Sequence, residues 1–236
     1  MSEDSLTIVW IVAAAAAVVA LIFLARWMAK KRIAALAAAA NGLGFSFSPE
    51  RKTELAARMQ KLYGISPGSD DYAENLLLGT YRGHAVTVFE FNNTTKSTDS
   101  DNQTKTEHHS WHIVFVDLGR SFPGLVIEPE NSLTKLGKVV GIEDIEVESR
   151  EFSKKFSIRS DDPAFANEVC HARLTDFLLG QPAVIFEISD RFLAFVHPNK
   201  IIPSRLQKEL DLALDVRERL PDHLFVERHP SSFSSA

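Results

Sequence analysis

Cysteine is almost absent from this 236-residue chain: Cys170 is the only one, which excludes a disulfide framework and any cysteine-rich zinc site. Glycine (11) and proline (10) are sparse, and 45% of residues are hydrophobic, so a collagen-like or disordered polymer is excluded as well. There is no surplus of positive charge. With 26 Lys+Arg against 31 Asp+Glu the net charge is −5, the wrong sign for a general nucleic-acid binder. Catalytic signatures are missing too: no G-x-S-x-G, Walker-type glycine loop, G-x-G-x-x-G, H-E-x-x-H or EF-hand pattern occurs. One further absence is local. Leu6–Ala25, LTIVWIVAAAAAVVALIFLA, contains no charge, glycine or proline.

As an α-helix those residues span about 30 Å, the thickness of a bilayer's hydrocarbon core. Trp10 and Trp27 stand near the two ends, where an indole keeps its N–H in the interface. A cleaved signal peptide would have a basic start and a shorter apolar run, whereas Glu3 and Asp4 come first here. A core helix would keep one polar face. The stretch therefore reads as a transmembrane helix.

Its flanks are asymmetric. Arg26, Lys30, Lys31 and Arg32 follow the span, and no Lys or Arg precedes it. The positive-inside bias puts the N-terminus outside and the rest in the cytoplasm, a single-pass protein of the cell membrane. The same four side chains are candidates for the membrane surface, where each contributes about 1 kcal/mol beside anionic head groups.

Five segments are expected. Residues 1–5 form a short N-terminal segment, 6–25 the span, 26–64 juxtamembrane helices, 75–220 an α+β domain and 221–236 a tail. The first helix should run on through Ile33–Ala40 and stop at Asn41-Gly42. A second should start at Ser48-Pro49-Glu50, with Leu55, Met59 and Leu62 on one face. Ser66–Glu74 reads as a loop. Asn75–Tyr81 and His84–Phe91 then form a hairpin around Arg82-Gly83. Asn92–Glu107 holds no apolar residue and reads as a long solvated loop before a strand at His108–Leu118. Short strands follow at Leu125–Glu128 and Phe152–Arg159, with an extended piece within Val139–Ser149. One helix is expected from Asp161-Asp162-Pro163 to Gly180, a hairpin around Ser189-Asp190, and a last helix from Pro203 to Leu220. In that last helix Leu206, Leu210, Ala213 and Leu214 point inward and Glu209, Asp211, Asp215 and Glu218 outward. The class is α+β: a transmembrane helix followed by an antiparallel sheet covered by helices, in one domain or in two divided near Ser149.

The pieces Gly42–Glu50 (GLGFSFSPE), Asn75–Phe91 (NLLLGTYRGHAVTVFEF) and Glu146–Val169 (EVESREFSKKFSIRSDDPAFANEV) resemble a group of uncharacterised bacterial single-pass membrane proteins. The resemblance covers most of residues 42–220. It implies an anchor with a cytoplasmic domain and a bacterial source, and it carries over no catalytic residue.

Few residues offer chemistry. His108 and His112 share a strand face but stand about 13 Å apart, too far to chelate one metal, and His109 points the other way. Glu128/Glu130 and Glu146/Glu148 are paired carboxylates without a sign of burial, expected on solvated edges. Cys170 precedes His171, but neighbours on a helix project about 100° apart, and the thiol lies on an apolar stripe. Asn-x-Thr triplets begin at Asn92, Asn93 and Asn102; they matter only on a lumenal side. No catalytic, metal or cofactor residue is assigned. The expected function is a membrane-anchored, non-enzymatic cytoplasmic module. It binds a protein partner through the Asn92–Glu107 loop or the acidic face of the last helix, with the bilayer as its other partner and no nucleic acid. The alternative is a tethered lipid- or small-ligand-binding domain with a pocket lined by some of the sixteen phenylalanines. An enzyme using the Glu pairs or the histidines ranks last.

Overall fold

A computed structural model describes residues 3–59, 62, 68–98, 104–130, 143–145 and 149–226, the side chains of 3–9 and 57–59 excepted. Helix α1, Glu3–Gly42, is unbroken over 40 residues, about 60 Å of rod. Alanine, the best helix former, is its commonest residue, and no proline interrupts the hydrogen-bond ladder. From Trp10 to Lys31 every side chain is exposed, whereas Leu36 and Ala40 are buried in the domain core. The helix ends at Gly42, at the expected Asn41-Gly42 stop. Gly44, at φ +73°, turns the chain, with Gly44 N–H donating to Asn41 O (3.1 Å) and Phe45 N–H to Ala40 O (2.9 Å). Glycine there takes the left-handed turn at no steric cost.

The remaining elements are β1 (Ser46–Ser48), α2 (Thr53–Met59), β2 (Ser69–Tyr81), β3 (His84–Thr98), β4 (Thr104–Pro129) and β5 (Glu143–Asp144), followed by α3 (Arg150–Lys155), β6 (Phe156–Ser160), α4 (Pro163–Val169), α5 (Ala172–Leu179), β7 (Ile185–Pro198) and α6 (Leu206–Arg217). The strands form one antiparallel sheet in the order β1-β2-β3-β4-β6-β5, with β7 along the other edge of β4. The expected class holds: an N-terminal apolar helix, then an antiparallel sheet covered by helices.

Alternation along the strands gives the sheet two apolar faces. Val86, Val88, Val114, Val116 and Phe195 lie under α1, α4, α5 and α6; Phe89, Phe91, Ile113, Phe115 and Val196 lie on the other face, which α2 partly covers. Nine of the sixteen phenylalanines are buried in these two layers, so the phenylalanine content serves mainly the core.

Several expectations are corrected. Asn92–Thr98 is no loop: it pairs with Thr104–Ser110, extending the β3–β4 hairpin, because threonine and asparagine side chains bond across the ladder as apolar ones pack. Ser69–Glu74 likewise belongs to β2. The expected hairpin at Ser189-Asp190 is one strand, β7, whose two halves both pair with β4. Asp190, at φ +52°, bends it to follow the kink that β4 makes around Gly119, and Ser121 Oγ bonds Asp190 across that kink. The predicted helix to Gly180 is two helices. His171 is extended and its ring bonds Arg219 O at 3.0 Å, which interrupts the helix between α4 and α5. Phe152 belongs to the capped turn α3 rather than to a strand, Ser149 accepting from Phe152 N–H. The Arg82-Gly83 turn is as expected, both residues at positive φ as a two-residue hairpin requires.

Candidate functional site

Where α1 enters the domain it crosses a row of polar side chains buried in the sheet. Register places Glu90 on β3 opposite His112 on β4, and His112 opposite His197 on β7. All three project from the face that carries Val88, Val114 and Phe195, two residues away on each strand. An apolar strand would bury this row at no electrostatic cost, so each polar group needs partners.

Glu90 has them. Its side chain is 0% exposed, yet Arg32 of α1 forms an ion pair with it, Asn75 Nδ2 donates to Oε2 at 2.9 Å and Ile201 N–H donates to Oε1 at 2.8 Å. Arg32 also donates to Ile201 O at 3.2 Å. This fastens the helix to the sheet at the level where its exposed length ends. From there α1 and β3 run antiparallel, down to Phe45, whose ring packs on Gly79 of β2.

The other two members share a different acid. His112 is 3% exposed; its Nδ1–H donates to Asn199 O (3.1 Å), and its Nε2 lies 3.0 Å from Glu209 Oε2 on α6. Asn199 sits at φ +72°, a conformation asparagine tolerates, and this turn aims its carbonyl at the ring. His197 stacks on His112 with ring centroids 4.6 Å apart. Its Nε2 is buried with no hydrogen-bond partner among the described residues. Burial, and then the charge of His112, push the His197 imidazole down to about 4, so the ring is neutral at physiological pH. Burial pushes the Glu209 carboxyl up, but the hydrogen bond with His112 and nearby positive charge outweigh it and hold the group below its ordinary range.

Sequence reasoning pairs His112 only with its strand neighbours and sends Glu209 to solvent. The structure turns Glu209 onto the sheet and adds His197, which the sequence reading passes over. The two histidines lie 85 positions apart, and only the β4–β7 register joins them. His108 and His109 stay apart from this cluster, bonded to Thr94 (3.0 Å) and Thr95 (2.8 Å).

The other candidates are placed as follows. Glu128 is buried and ion-paired to Arg159, and Glu130 lies in a turn at the end of β4, so they form no acid–base pair. Glu146 and Glu148 lie outside the described residues. Cys170 is buried, and desolvation pushes its thiol up to about 12, the opposite of an activated nucleophile. On α6 and at its C-terminal cap the other acids are engaged: Tyr81 donates to Asp211 (2.8 Å), and Arg82 bridges Asp215 (3.0 Å) and the capping Glu218 (2.5 Å). Asn92 and Asn93 are buried in β3. Arg26, Lys30, Lys31, Trp10 and Trp27 stay exposed on α1, with Lys31 over the Trp27 ring at 5.2 Å.

On the opposite sheet face a cleft of about 550 Å³ opens between Leu55, Leu62, Thr87, Phe115 and Phe192, rimmed by Asp117 and Arg191. Arg191 donates to both carboxylate oxygens of Asp117, at 2.8 and 2.9 Å.

Together these features define a class: a sheet domain fused without a joint to one N-terminal helix that is long and apolar enough to cross a membrane. A solved structure of the same architecture is that of the mycobacterial trehalose monomycolate transport factor A. It is 16% identical, with a TM-score of 0.57 over 80% of this chain and 96% of that one. At this identity the likeness establishes a shared fold. No family model and no curated protein matches the chain.

Proposed function

We propose that this protein is a single-pass anchor that holds its α+β domain at the cytoplasmic face of the cell membrane, where the domain binds a protein partner in the same membrane. One observation carries the reading: α1 passes from apolar span to domain core without a break. Leu36 lies only about 16 Å of helix beyond Ala25, so the domain stands at a set height and angle above the head groups. A tether needs only a flexible linker. A continuous rod locked by Arg32–Glu90 suits a module that must meet a membrane-embedded partner in one geometry. The transport factor of similar fold fits such a role, and the positive-inside flank supplies the side. Arg26, Lys30 and Lys31 would face anionic lipid, while Arg32 is shared with Glu90.

The test is to insert a short Gly-Ser linker after Lys30. Site-specific photocrosslinkers at the exposed positions Leu78 and Ile202, used in native membranes, should give a discrete protein adduct in the wild type and lose it with the linker. Adducts that survive the linker would refute the fixed-height reading, and their absence from the wild type would refute partner binding at those surfaces.

A second reading rests on the cleft beside Phe115 and Phe192, whose volume falls in the range of small-ligand pockets. Lipid retained at one equivalent by the purified protein, and displaced by Leu55→Trp, would favour it.

A further inference from the structure

The cluster between β4, β7 and α6 is more than a buried ion pair. A neutral imidazole whose Nδ1–H is spent on a carbonyl presents a lone pair at Nε2. That nitrogen lies 3.0 Å from a Glu209 carboxylate oxygen, a pairing that a shared cation would satisfy. An ion pair accounts for these two groups and leaves His197 unexplained: a ring stacked on the first, with a buried nitrogen that has no hydrogen-bond partner among the described residues. We propose that His112, His197 and Glu209 bind a divalent transition metal of the zinc–cobalt class.

Geometry supports this. One ligand atom from each residue lies within 4.8 Å of the others. Donors about 2.0–2.2 Å from one metal in a tetrahedral arrangement stand about 3.3–3.6 Å apart. The two rings stack within 10° of parallel, so binding requires the His197 ring to turn until its lone pair converges with that of His112. The Asn199 carbonyl already holds His112 through its other nitrogen, the outer contact that metal-bound histidines characteristically make. Two nitrogen donors and one carboxylate oxygen select zinc-like ions over calcium or magnesium, which prefer all-oxygen sites. Glu90, next in the row, is saturated by Arg32, Asn75 and Ile201 N–H and stands outside the ligand set. A metal here would clamp α6 to the two strands beside the point where α1 joins the sheet, so metal occupancy would stiffen the base of the rod.

The test uses full-length, tag-free protein in detergent, stripped with chelator and titrated with Co(II) alone. The expected result is one equivalent bound, with the visible absorption of a Co(II)–imidazole centre, removed by adding Zn(II). His197→Gln should weaken Co(II) binding about tenfold or more, and Glu209→Gln should do the same, while a His108→Gln/His109→Gln double variant should bind as the wild type does. Far-UV circular dichroism checks that each variant is folded; should His197→Gln fail to fold, the isosteric Glu209→Gln decides. No Co(II) absorption from the folded wild type, or absorption that persists in the folded cluster variants, would overturn the proposal and leave a buried His112–Glu209 ion pair.

Discussion

Replacing Arg32 with alanine removes the cation from a carboxylate that has no access to water. Breaking a buried ion pair from one side typically costs about 3–5 kcal/mol, because the remaining charge is stranded. Here the cost should be smaller: Arg32 itself is 30% exposed, and Asn75 and the Ile201 N–H still donate to Glu90. We expect about 2–3 kcal/mol for Arg32→Ala. For a domain of this size each kcal/mol moves the melting temperature by about 2–4 °C, so the shift should be roughly 4–12 °C. Thermal unfolding of the full-length protein in detergent reads it. The double-mutant cycle with Glu90→Gln isolates the pair, and a coupling of about 1 kcal/mol or more is expected for groups in direct contact. An Arg32→Ala protein within about 0.5 kcal/mol of the wild type, the range of ordinary surface substitutions, would refute the idea that this residue locks the membrane helix to the sheet.

Other outcomes follow from single residues. Native Cys170 should resist thiol reagents at pH 8 and react only on unfolding, since it is buried and its thiol is raised to about 12. Because the folded state keeps that proton longer, its stabilising contribution is complete below the unfolded value of 9.0 and is lost as pH climbs toward about 12; Cys170→Ala should remove that alkaline slope from a denaturation series. Gly79→Ala would drive a methyl into the Phe45 ring and should destabilise by about 1–3 kcal/mol in urea unfolding, with a smaller penalty in a Phe45→Ala background. Arg82→Ala removes a half-exposed contact with Asp215 and Glu218 and should change stability by less than about 1 kcal/mol by the same measure.

Much of this architecture is readable one residue after another. The apolar run and the Arg82-Gly83 turn are local signals, and the structure matches them with a long helix and a two-residue hairpin turn. Along β3, Val86 and Val88 alternate with Phe89 and Phe91 between the two apolar faces of the sheet. What failed was local too, but overridden. Asn92–Thr98 lacks apolar residues, yet Thr94 and Asn92 reach His108 and Ser110 across the hairpin and make a strand of it. Ser189-Asp190 looks like a turn, and only the kink of β4 shows that β7 bends rather than reverses. The polar row was hidden for a different reason. Glu90, His112 and His197 are each unremarkable in their own segments, and Glu209 fits the polar face of a helix. Their meeting depends on the pairing of β3, β4 and β7 and on the docking of α1 and α6, which no single segment encodes.

Sidedness decides whether the anchored-module reading stands. In a Cys170→Ala background, single cysteines at Ser5 and at Lys200 can be labelled with a membrane-impermeant maleimide in right-side-out and inverted vesicles. The expected pattern is Ser5→Cys labelled only from outside and Lys200→Cys only in inverted vesicles, which puts the domain in the cytoplasm. Labelling of Lys200→Cys in right-side-out vesicles, or recovery of the full-length protein in the soluble fraction, would contradict it.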